Sequence, residues 1–230
     1  MKSEKLIIGN RNCSVFHEEQ PEAILLLPED EASAQDIAEE LYHQTKTPFL
    51  MAVFEIKDWN KELSPWDAPP VFGKEDFGHG AIDTLSFIEN DLLPLIYEHY
   101  HCKQDLPVIL TGYSLAGLFA LWSAYQTDRF TAIAAVSPSV WFQNWISYSS
   151  SHTVKAEHVY LSLGDREEKT RNQQMAKVGD CIKEMHTILS KDTDCILEWN
   201  EGNHFKDPDK RVYKGLLWCL NTIKNNEMEI

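Results

Sequence analysis

An apolar run, Val108-Ile109-Leu110-Thr111, passes through Gly112-Tyr113-Ser114-Leu115-Ala116-Gly117 directly into the apolar helical stretch Leu118 to Tyr125. Few folds accept a buried strand that turns at once into a buried helix; a parallel sheet covered by helices is the one that does so repeatedly. The spacing G-x-S-x-A-G is that of a strained elbow, which lifts a serine hydroxyl above the carboxyl edge of the sheet. Small flanking residues are required there because the chain before and after the turn packs closely. Ala116 stands where the motif usually has its second glycine, with Gly117 beside it, and alanine preserves the smallness.

The rest of the chain repeats this alternation. Short apolar runs predict strands at Lys5 to Ile8, Cys13 to Phe16, Ala23 to Leu27, Phe49 to Ile56, Val108 to Thr111, Ala132 to Val136, Val159 to Leu163 and Cys195 to Trp199. Gly9-Asn10 reads as a hairpin turn, so the sheet should begin antiparallel. Helical periodicity covers Ser33 to Gln44, Ala81 to Tyr100 with a kink at Pro94, Thr170 to Ser190, and a last helix opening at Asp207-Pro208. The prediction is a single α/β domain over 1–230, with an eight-stranded, mostly parallel sheet, helices on both faces and a tail that frays over 222–230. Residues 59–80, WNKELSPWDAPPVFGKEDFGHG, fit neither period and predict a long functional loop.

Thirty-six acidic against 21 basic side chains give a net charge of −15, which argues against a nucleic-acid partner. No stretch is apolar enough for a signal peptide or a membrane span, and five scattered cysteines without C-x-x-C spacing predict free thiols in a reducing, cytoplasmic setting. No metal or cofactor is expected: His99, His101 and Cys102 cluster in sequence but do not share a helix face.

A serine hydroxyl needs a base, and the base needs an orienting carboxylate. In this architecture the chain order is serine, acid, histidine. His204, in Glu201-Gly202-Asn203-His204-Phe205 after the last strand, is the candidate base. Three carboxylates follow the seventh strand in Gly164-Asp165-Arg166-Glu167-Glu168; Glu167 is favoured, Asp165 is the alternative and Glu168 the third choice. The Leu115 amide, at a helix start, supplies one oxyanion donor. The loop after the third strand supplies the second; Pro28 has no N–H, so the donor is Glu29 or Asp30, an acidic surrounding for a developing negative charge. Trp59 and Trp66 in the long loop, Trp141 after the sixth strand and Tyr113 in the elbow are candidate substrate contacts.

Taken together, the GYSLAG elbow, the run Ser137-Pro138-Ser139-Val140-Trp141-Phe142, and the acidic turn at Gly164 followed by GNHF resemble an esterase family of the α/β-hydrolase fold. Esterase D-like enzymes and the siderophore esterases that cleave ferric enterobactin belong to it. The resemblance spans roughly Ala23 to Leu220. It implies an α/β-hydrolase fold and hydrolysis of a small-molecule ester or thioester through an acyl-enzyme on Ser114, with His204 as base and an acid from the turn after the seventh strand; because the core elements occupy nearly the whole chain, no large cap domain is expected. Two departures stand out, Ala116 in the elbow and an acidic loop where the family often has Asp-Gly or His-Gly. They motivate a competing reading, a non-catalytic binding protein that keeps the fold. Carboxylates at Glu29 to Glu31, Asp165 to Glu168 and Asp207 to Asp209 crowd the expected active edge, which disfavours strongly anionic substrates.

Overall fold

The computed structural model describes the backbone of residues 1–29 and 31–228 and the side chains of 1–29 and 34–225. Its elements are β1 (Lys2–Ile8), β2 (Arg11–His17), β3 (Ala23–Pro28), α1 (Glu31–Gln44), β4 (Phe49–Phe54), α2 (Trp59–Glu62), α3 (Ala81–Phe87), α4 (Leu93–His99), β5 (Val108–Tyr113), α5 (Leu115–Gln126), β6 (Ala132–Val136), α6 (Trp145–Ser150), β7 (His158–Gly164), α7 (Val178–Leu189), β8 (Asp194–Asn200) and α8 (Pro208–Met228).

Among the described residues the strands form an eight-stranded sheet in the order β1-β2-β4-β3-β5-β6-β7-β8. The β1–β2 hairpin closes at Gly9-Asn10, where Ile8 pairs with Arg11 and Gly9 takes φ +60°. β2 also runs antiparallel to β4, and every later pairing is parallel. This order, with helices on both faces, is the α/β-hydrolase fold, and it carries no large cap. Parallel pairing sets the carboxyl ends of β3, β5, β6, β7 and β8 along one edge, and the loops that carry Ser114, Glu167 and His204 all leave from there.

Burial explains the register. Every residue of β3, β4 and β6 is buried, because helices cover both faces of the central sheet. One face packs Ile24, Leu26, Leu110, Ile133 and Leu161 against α5 and its neighbours. The other packs Leu25, Leu27, Ile109 and Tyr160 against Ile37 and Leu41 of α1 and Leu216 and Leu220 of α8. A one-residue slip would exchange these faces. In α5 every residue from Leu115 to Tyr125 is buried, as befits a helix that is apolar all round. Each such large side chain contributes about 1.5–3 kcal/mol of apolar burial.

Five expectations are adjusted. The helix over 81–100 is continuous, and just before Pro94, where a kink was expected, it widens into a π segment at Ile88–Leu92, with the Leu93 N–H reaching the Ile88 carbonyl. The wider turn relieves the clash between the proline ring and the preceding carbonyl. The helix expected from Thr170 begins only at Val178, after a short 3₁₀ turn at Met175–Lys177. Asn172 sets that start: its side-chain oxygen accepts the Gln174 and Met175 amides at 3.0 and 3.2 Å. α8 runs on to Met228 where a frayed tail was expected from 222. Residues 59–80 are ordered by α2, by an Ala68–Phe77 bridge, and by Trp66, whose Nε1 donates to the Gln143 carbonyl at 3.0 Å. The helix expected from Ser33 starts two residues earlier, at Glu31, so Ser33 lies within it, and the oxyanion candidate Asp30 lies outside the described residues.

Candidate active site

β5 ends on Tyr113, and Ser114 takes φ 59°, ψ −118° before α5 begins at Leu115. The left-handed value costs of order 1–3 kcal/mol for a residue with a Cβ. Its neighbours hold it there: the Ser114 N–H donates to the Val136 carbonyl at 3.0 Å, and the Ser114 carbonyl accepts from Ser139 and Leu118 at 3.0 and 3.1 Å. Gly112 is required by space, since a Cβ there would lie 2.4 Å from the Ala116 carbonyl carbon and oxygen. Alanine at 116 therefore fits the elbow only because 112 is glycine. Gly112→Ala is expected to lower stability by about 1–3 kcal/mol, more if the elbow backbone must move. Thermal unfolding checks this, and an unchanged melting temperature would contradict the packing argument.

The structure brings Ser114, His204 and Glu167 into one hydrogen-bonded chain. Ser114 Oγ lies 3.1 Å from His204 Nε2, and His204 Nδ1 lies 2.7 Å from Glu167 Oε2. A carboxylate oxygen can only accept, so the proton sits on Nδ1 and Nε2 is left as the acceptor for the serine hydroxyl. The other carboxylate oxygen, Glu167 Oε1, accepts from Ser137 Oγ and the Gly164 amide at 2.7 Å each and from Arg211 Nη1 at 2.8 Å. Burial pushes the Glu167 carboxyl up, but hydrogen bonding and charge from His204, with the Ser137 and Gly164 hydrogen bonds, outweigh it and hold the group below the usual carboxylate value. Glu167 is thus ionised, with both carboxylate oxygens hydrogen-bonded. His204 keeps one quarter of its side chain exposed, so its ring borders solvent on the reactive side.

The competing carboxylates have other partners. Asp165 Oδ1 accepts the Gly202 amide at 2.7 Å and so braces the histidine loop without meeting the imidazole. Glu168 lies over Gly179 in the first turn of α7, where the helix dipole favours a carboxylate. Tyr113, expected against substrate, instead donates its hydroxyl to the His204 carbonyl. Trp66, also expected there, packs on Phe142, Trp145 and Tyr148. Trp141 is buried against Phe72 and Phe77 of the long loop. These two tryptophans fasten the 59–80 segment to the chain after β6, which is core packing. Trp59 is half-buried and sits between two clefts, one of about 770 Å³ that includes Glu29 and Ile56, and one of about 730 Å³ that includes Phe72. The Leu115 amide opens α5 beside Ser114, and Glu29 follows Pro28 at the end of β3.

Sequence reasoning passed over Arg211 and Ser137. Arg211 lies in the first turns of a helix, where a lone arginine reads as solvated, and Ser137 carries φ 45°, which its sequence context does not announce. Phe205, 86% exposed beside His204, is the most open aromatic group at this edge. Among the described residues, no three His, Cys, Asp or Glu side chains are grouped to hold a metal, and no helix is long and apolar enough to cross a membrane.

A serine, a histidine and a carboxylate at the carboxyl edge of this sheet define the α/β-hydrolase class. Within it, the chain belongs to the family described as Putative esterase, whose pattern matches residues 27–198, and it is an esterase-type hydrolase. Solved structures share the fold. An IroE-like serine hydrolase from Shewanella oneidensis is 17% identical, with a TM-score of 0.77 over 94% of this chain and 79% of that one. The siderophore hydrolase EstA from Aspergillus nidulans is 18% identical, with a TM-score of 0.72 over 96% and 94%. The enterobactin hydrolase IroE in complex with DFP is 14% identical, with a TM-score of 0.62 over 94% and 93%. No curated protein sequence matches the chain.

Proposed function

We propose that the protein hydrolyses a carboxylic ester or thioester of a small molecule through an acyl-enzyme on Ser114. The observation that carries this reading is the unbroken sequence of hydrogen bonds from Ser114 Oγ through His204 to Glu167. As Ser114 Oγ attacks the ester carbonyl, His204 Nε2 takes the hydroxyl proton, and the imidazolium is stabilised by the buried Glu167 carboxylate. The carbonyl oxygen becomes an oxyanion beside the Leu115 amide, one of the first helix N–H groups and so without an intrahelical partner. The second donor is assigned to the backbone of the loop that begins at Glu29. The imidazolium then returns its proton to the leaving alcohol or thiol. A water molecule, activated by the same Nε2, attacks the acyl carbonyl and restores the serine.

Trp59 and the exposed rings of Phe72 and Phe205 offer apolar surface for the acyl or alcohol part. The test is hydrolysis of short-chain p-nitrophenyl esters, followed by a panel of neutral and anionic esters. Siderophore esters belong on that panel because EstA and IroE are named for acting on them. Release of p-nitrophenolate well above the buffer rate is expected, with neutral esters preferred. A folded protein that hydrolyses no ester on the panel would overturn the reading in favour of a binding role.

A further inference from the structure

We propose that Arg211 is a positioning residue that fixes the acid turn and the histidine loop in register with Ser114, an inference that rests on the hydrolytic reading above. Arg211 is 2% exposed, and a buried guanidinium is tolerated only when it is paired and its N–H groups are used. Its two ends serve different loops. Nη1 donates to Glu167 Oε1 at 2.8 Å and to Ser137 Oγ at 3.1 Å, holding the acid turn. Nη2 donates to the Asn203 and Glu201 carbonyls at 3.0 and 3.2 Å, on either side of Gly202 and immediately before His204. Nη1 also lies 3.4 Å from the Tyr113 hydroxyl, which donates to the His204 carbonyl from the residue preceding the nucleophile. One planar group therefore connects the chain at 113, 167 and 203.

The backbone around Arg211 is built to admit it. A Cβ on Gly164 would lie 2.4 Å from the Gly202 carbonyl and 2.9 Å from Arg211 Nη2, so only glycine lets the acid turn, the guanidinium and the histidine loop meet. Because Arg211 occupies Oε1, Oε2 of Glu167 is left for His204 alone. The guanidinium is buried beneath the triad and away from solvent, so it orients without touching substrate. Lysine keeps the charge but not the fork: an ammonium is a point donor and cannot serve a carboxylate and two carbonyls in a plane.

The decisive experiment is Arg211→Lys in the full chain, with kcat and KM measured on a p-nitrophenyl ester and folding checked by circular dichroism. Misplacing a catalytic group by about 1 Å costs about 10²-fold, so a fall of that order in kcat is expected, with KM within about twofold of wild type. Tyr113→Phe supplies a second, isosteric probe that removes the hydroxyl through which Arg211 reaches the His204 carbonyl; a fall of about tenfold in kcat is expected, again without a change in KM, and a folded variant with wild-type kcat would count against the positioning role. Tyr113→Phe decides the matter if Arg211→Lys does not fold. A folded Arg211→Lys with wild-type kcat, or a loss confined to KM, would overturn the positioning role while leaving the hydrolytic reading intact. Wild-type protein without esterase activity would instead mean that the hydrolytic reading fails, and the positioning role with it.

Discussion

Glu167→Gln is expected to lower kcat by about 10³–10⁴ with little change in KM, the size of effect seen when a triad histidine is held in the wrong tautomer. The geometry gives the reason. Ser137, the Gly164 amide and Arg211 all donate to the position of Oε1, so the glutamine oxygen is drawn there and its NH₂ group faces His204. An NH₂ group donates, so Nδ1 must accept, the proton moves to Nε2, and the base can no longer take the Ser114 proton. The substitution also leaves Arg211 without its counter-charge at a site where the two side chains are 2% and 3% exposed, and breaking a buried pair costs about 3–5 kcal/mol. A lower melting temperature should therefore accompany the loss of activity. Steady-state kinetics on a p-nitrophenyl ester at temperatures below the variant's transition separate the two effects. A folded Glu167→Gln with kcat within about tenfold of wild type would mean that the acid does not set the tautomer.

Ser114→Ala should remove the acyl-enzyme route altogether, with kcat falling by about 10⁶ if the triad acts as one unit. Stability should not fall, because alanine needs no hydrogen-bond partner at the position of Oγ; the strained φ of 59° at the elbow remains. Unity of the triad gives this prediction a second edge. His204→Ala should cost nearly as much, and the double variant no more than either single one, since neither residue works without the other. Multiplicative losses in the double variant would mean that the two act in separate steps. The kinetic assay is the same, run with enough enzyme to define the residual rate.

Much of this architecture could be read from the chain, and the reasons are physical. The eight strands were legible because each is a short apolar run between turn-forming residues, and the central ones are buried on both faces. The elbow was legible because a serine between Gly112 and Ala116 leaves only one geometry for the turn. His204 was reached by chain order, since it is the histidine between the last strand and the last helix. Glu167 was harder, because Asp165, Glu167 and Glu168 are chemically alike; only the turn after Gly164 decides which carboxylate faces inward. The supports of the site were not legible. Arg211 meets Glu167 and Ser137 across 44 and 74 residues of chain, and Tyr113 meets the His204 carbonyl across 91, and no local pattern records such distances. The tryptophans misled for a related reason: a large ring in a loop reads as a pocket wall, whereas Trp66 and Trp141 are occupied in pinning that loop to the chain after β6.

The excess of acid looks different once partners are assigned. Of the carboxylates near the active edge, Glu167 is neutralised by Arg211 and bound to His204, and Asp165 is tied to the Gly202 amide. Glu201 pairs with Lys206 at 2.9 Å. Part of the charge at this edge is thus taken up in pairing within the site, and on the proposed function what remains should favour neutral over strongly anionic esters on the ester panel.

The most direct measurement of the central claim is covalent. Incubation of the folded protein with a fluorophosphonate, followed by intact mass and peptide mapping, should give one adduct per chain, located on Ser114 and absent from Ser114→Ala. Folded wild-type protein that takes up no adduct, or carries it on another residue, would contradict the assignment of Ser114 as an activated nucleophile.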